Sequence, residues 1–104
     1  AFPDADTLQR IVDVHFPDID QQLVGQALRT FFNLRQVAGL KKKPSTSELI
    51  DWLRLLMADE LAQRQLSTAP AEKALPPLAG ALVKNEQDVQ LLEQLMFLHR
   101  RGSR

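Results

Sequence analysis

The chain has 104 residues, 44% of them hydrophobic, and thirteen basic residues balance thirteen acidic ones. That length supports a single domain, 1–104, with a core of its own, and electroneutrality excludes the broad basic footprint of a dedicated nucleic-acid binder. Cysteine is absent, no apolar run nears the ~20 residues of a membrane span, and the first residues lack a secretory signal, so a cytoplasmic, reducing setting is expected.

The first predicted helix starts behind Phe2-Pro3 with Asp4 or Asp6 as its cap. Leu8, Ile11, Val12 and His15 share one face of it, and Phe16-Pro17 ends it, because the residue before proline is driven out of helical geometry. Asp18 to Asp20 offers the next cap. Leu23, Val24, Ala27, Leu28, Phe31, Phe32 and Leu34 then cover a wide arc of a second helix, with Gly39 as its left-handed terminator. Phe31 and Phe32 are neighbours, so both rings cannot point into one core.

A third helix is expected over about 46–61. Leu49, Trp52, Leu53 and Leu56 form its stripe, with Ile50, Leu55 and Met57 on the flanks. An apolar arc of that width predicts burial from more than one side. Residues 65–75, rich in Ser, Thr, Ala and Pro, read as a loop. Pro76-Pro77 then opens a short helix to about Leu82, and Asn85 caps a last long helix with Val89, Leu92, Leu95, Met96 and His99 facing inward. No run alternates with strand period. The expected fold is all-α: a small bundle of four main helices plus a short connector.

The sharpest local signal is the third helix's start. Lys41, Lys42 and Lys43 precede Pro44, and Ser45 and Glu48 stand at the spacing of a capping box, in which each side chain meets the other's backbone N–H. Such a start presents hydroxyls and first-turn N–H donors beside cationic charge, a place suited to an anion.

Residues 40–53, LKKKPSTSELIDWL, resemble the lid segment of MoxR-type AAA+ ATPases. Residues 2–17, FPDADTLQRIVDVHFP, look like the opening of such a lid, and residues 75–88, LPPLAGALVKNEQD, are similar to the family's final stretch. The resemblance implies a C-terminal helical lid that closes over ATP and Mg bound by a separate nucleotide-binding module. It also implies contact with neighbouring subunits of a ring, and coupling of hydrolysis to chaperone-like remodelling of a client protein. Ser45, Thr46 and Ser47 are then expected to face the nucleotide, and Ile11 to pack against the adenine. The family usually places an arginine at the position of Ser47. This chain departs from that pattern, and Lys43 or Arg54 is left to supply the charge.

A phosphate-binding loop of the form Gly-x-x-x-x-Gly-Lys-Ser/Thr does not occur among the four glycines. The chain alone is therefore expected to have no catalytic residues and no cofactor of its own. His15 and His99 lack a partner at helical metal-site spacing, so no metal is expected. Asp4, Asp6, Asp13, Asp18 and Asp20 flank polar turns and helix starts, where capping accounts for them. The apolar circumference of the third helix argues against a recognition helix and hence against nucleic acid. Phe97 falls among polar residues of the last helix and is the candidate interface side chain. A different class of function, a free-standing helical domain that takes a partner helix in an apolar groove, remains open.

Overall fold

The computed structural model describes residues 2–68 and 77–102, with side chains over 2–67 and 77–95. Its elements are α1 (Ala5–His15), α2 (Gln21–Arg35), α3 (Thr46–Met57), α4 (Glu60–Thr68), a 3-10 connector (Ala79–Ala81) and α5 (Glu86–Gly102). No strand occurs among the described residues, and none of their helices is long and apolar enough to cross a membrane.

Short polar side chains start the helices as expected. Asp4 Oδ1 accepts the Thr7 N–H at 2.9 Å, and Asp20 Oδ1 accepts the Gln22 N–H at 3.0 Å. The bonds from Thr7 hold the Asp4 carboxyl below its ordinary range. The ends are less legible. α2 stops at Arg35, not at Gly39, because the chain tightens into i→i+3 bonds from Gln36 to Asn33 and from Val37 to Leu34. Gly39 sits further on in the loop with φ of 93°, and Leu91 Cδ2 lies 3.3 Å from where a Cβ would be. Any side chain there meets both strain and a neighbour.

The expected third helix over 46–61 is two helices. α3 ends at Met57, and Asp59 opens α4 by accepting the Ala62 N–H at 3.2 Å. Gln63 Nε2 reaches back to the Leu56 carbonyl at 2.8 Å, adding a side-chain donor to an oxygen that also accepts the Asp59 N–H at 3.1 Å. Residues 65–68, expected as loop, are helical, since Ala62 and Leu66 sit one turn apart and both bury against the body. Residues 69–75 of that expected loop lie outside the described residues.

α3 packs on α1, α4 and the connector, and α2 packs on α1 and α4. This matches the multi-sided burial that the apolar arc requires. Leu49, Trp52, Leu53 and Leu56 have essentially no exposure, and Ile50 joins them, while Leu55 and Met57 stay at the surface. The Trp52 Nε1–H donates to the Pro77 carbonyl at 2.8 Å, pinning the chain just ahead of the connector. Phe31 is fully buried and Phe32 half-buried against the same core, their centroids 5.8 Å apart and both beside Phe2, so the two adjacent rings share one aromatic group instead of parting as expected. Two expected inward positions are exposed instead. His15 lies at the end of α1, where Phe16 takes the half-buried place, and Leu95 is exposed on α5, while the side chains of Met96 and His99 lie outside the described residues.

Candidate functional site

Ser45 is the N-cap of α3 and the capping box is complete. Its Oγ accepts from the Glu48 N–H at 3.5 Å and donates to Glu48 Oε1 at 2.9 Å, while the Ser45 N–H donates to the same oxygen at 2.7 Å. Glu48 is thereby folded inward, 8% exposed, and does not project from the helix start. Burial by itself raises its carboxyl. The Ser45 N–H and hydroxyl, with the Lys42 and Lys84 ammonium groups, outweigh that and leave it below its ordinary value.

Thr46 is half-buried and Ser47 exposed. Their backbone N–H groups are the first two of α3, and no acceptor meets either among the described residues. The helix start thus offers two N–H donors, two hydroxyls and the positive end of a 12-residue dipole.

Cationic groups converge on it from two distant parts of the chain. Lys42 Nζ lies 3.9 Å from Glu48 Oε2, and Lys84, arriving from behind the connector, lies 3.8 Å from Asp51 Oδ2. Lys43 is exposed, with no ion-pair partner among the described residues. Sequence reasoning missed Lys84, because nothing local to it signals proximity to α3; the connector's return path alone brings it there.

The preceding loop is fixed at two points. The Arg35 guanidinium donates to the Pro44 carbonyl and lies over the Phe2 ring, 3.5 Å from its centroid. Asp88, in the first turn of α5, is 1% exposed. Its two oxygens accept the backbone N–H groups of Lys41 at 2.7 Å and Lys42 at 3.0 Å. Because the backbone is held this way, the lysine side chains remain outside.

Among known proteins, no family model, no curated protein and no solved structure matches this chain.

The other expected site residues lie elsewhere. Ile11 is half-buried on α1 and packs against the core edge. Arg54 is nine residues along α3 from Ser45, a rise of ~13 Å. It pairs with Asp51 at 3.6 Å and faces the Phe16 ring at 5.8 Å, so it serves its own flank. The side chains of Phe97 and His99 lie outside the described residues. No group of three His, Cys, Asp or Glu that could hold a metal occurs among the described residues.

The cap has a measurable signature. Ser45→Ala should destabilise the fold by about 1 kcal/mol at neutral pH, read as a lower urea midpoint at unchanged slope. The folded carboxyl of Glu48 lies below its unfolded value, so its contribution is full above about 4.5 and fades as pH falls through the folded value. The Ser45→Ala penalty should therefore shrink on acidification below that point. A penalty constant from neutral pH to pH 3 would deny the reciprocal bond.

Proposed function

We propose that this chain is the C-terminal helical lid of a cytoplasmic MoxR-like AAA+ ATPase. The lid closes over ATP and Mg bound by a nucleotide-binding module that lies outside these residues. The observation that carries this reading is the α3 start: two N–H donors that meet no acceptor among the described residues, and the hydroxyls of Thr46 and Ser47, stand beside lysines drawn from residues 41–43 and 84. An anion held by another part of the protein fits there, and the resemblance of residues 40–53 to the family's lid supplies the identity of that anion.

The missing arginine is replaced by Lys43 rather than Arg54, which is too far along the helix and already paired. Lysine gives a point charge, not a bidentate fork, so its hold on phosphate is weaker and less directional. Ile11 closes the base side of the cleft from the edge of α1. Contacts to adjoining ring subunits and a client protein complete the assembly, and the closing motion couples hydrolysis to remodelling.

In the intact ATPase, Lys43→Ala should raise the KM for ATP about tenfold, the worth of one charge-assisted contact. The isolated chain should bind ATP–Mg no tighter than about 1 mM by calorimetry. Submicromolar binding to the isolated chain, or an unchanged KM in the variant, overturns the assignment. A second reading, a free-standing domain that binds a partner helix, is favoured by the exposed Leu55, Met57 and Leu61 around the α3–α4 junction. Capture of a helical peptide by the isolated chain, abolished by Leu61→Glu, would choose it.

A further inference from the structure

The extensive helix–helix packing of the described residues involves α1 to α4 and the connector, and α5 is absent from it. Its attachments are of another kind. Asp88 accepts two backbone N–H groups of the lysine loop, and Leu91 lies against Gly39 at the loop's left-handed turn. Leu92 alone of its described side chains is buried in the core cluster, with Val89 half-buried beside it. The described side chains of α5 are therefore seated mainly on the loop that leads into α3 and, through Leu92, on the core edge. The loop in turn takes two of its hydrogen bonds from α5.

We infer that α5 is a detachable strap: its docking through Asp88 and the conformation of the lysine loop are a single cooperative unit that opens without unfolding the α1–α4 bundle. A carboxylate at 1% exposure is costly to strand, yet strap release strands nothing. When α5 lifts, Asp88 and the Lys41 and Lys42 N–H groups all reach water together, so each group trades one set of hydrogen bonds for another. The bundle keeps its main contacts throughout, since α3 packs chiefly on α1, α4 and the connector and α2 on α1 and α4. Coupling of this kind is reciprocal. Anything that binds the loop in its clasped shape tightens α5, and anything that draws α5 away loosens the lysines at the α3 start. The inference stands on the clasp's geometry and is independent of what the lysines face.

Amide hydrogen exchange on the whole 104-residue chain tests it. Asp88→Asn keeps the size of the side chain but turns one acceptor into a donor facing a donor. At least tenfold faster exchange is expected at Lys41 and Lys42, and with them at Leu91, Leu92 and Leu95, while Leu53 and Leu56 keep their rates. Leu92→Ala is the second variant. It loosens the seat of α5 and carries none of the clasp's hydrogen bonds, yet it should also speed exchange at Lys41 and Lys42. Acceleration confined to Lys41 and Lys42 in the first variant, wild-type loop rates in the second, or equal acceleration at Leu53 and Leu56 each overturns the strap.

Discussion

Trp52→Ala should lower the unfolding free energy by about 3–5 kcal/mol, the range for deleting a fully buried aromatic. A domain of this size has about 5–15 kcal/mol in total, so the variant should be largely unfolded at 37 °C if the wild type sits near the lower bound. Trp52 has no exposed surface and lies on the helix that α1, α4 and the connector all touch. Removing the indole opens a void on the helix that those three elements cover, so collapse around it disturbs the packing of α3 on its neighbours. The indole N–H is a separate contribution. Trp52→Phe retains much of the ring but leaves the Pro77 carbonyl without its donor, for an expected loss of about 2 kcal/mol. Far-UV circular dichroism in urea measures both. A loss under about 1 kcal/mol for Trp52→Ala would show that the core is centred elsewhere.

That centrality was legible before any coordinates, because periodicity encodes which face a helix buries. The arc of Leu49, Trp52, Leu53 and Leu56 could only be covered from several sides, and it is. Caps were legible too, since Asp4, Asp20, Ser45 and Asn85 act through bonds two or three residues away. Helix ends were harder. The break at Ala58 and Asp59 has no proline or glycine to mark it, and a continuous helix satisfies the same apolar pattern. Gly39 misled for the opposite reason: a left-handed glycine is needed in the loop, not at the helix end. Long-range polar contacts were not legible at all. Asp88 reads as a first-turn acid, and only the fold brings it to the Lys41 and Lys42 N–H groups, 46 and more residues upstream. Lys84 and Arg35 are invisible for the same reason. The hydroxyls and N–H donors of the candidate site could be read from the sequence, whereas the charge around them and the pegs that hold its loop could not.

Phe31→Ala should cost a further about 3–5 kcal/mol on its own, and its pairing with Arg35 tests how the α3 start is held. Phe31 and Arg35 are four apart on α2 and so share a face. Phe2 lies between them, 5.8 Å from the Phe31 ring by centroid and under the Arg35 guanidinium at 3.5 Å. Phe32 closes the group, edge-on to both rings. The same guanidinium donates to the Pro44 carbonyl, one residue ahead of the Ser45 cap. Loss of the Phe31 ring removes the floor on which Phe2 rests, and Phe2 is what orients Arg35. A double-mutant cycle of Phe31→Leu with Arg35→Ala should accordingly show non-additivity of about 0.5–1 kcal/mol, the scale of aromatic and cation–π contacts beyond area burial. Under the lid proposal, the segment leading into Phe2 carries the displacement of the neighbouring module, and this stack would pass it to the α3 start. Strictly additive losses would mean that Arg35 is placed by α2 alone, leaving Phe2 as simple packing and the α3 start insensitive to what precedes it.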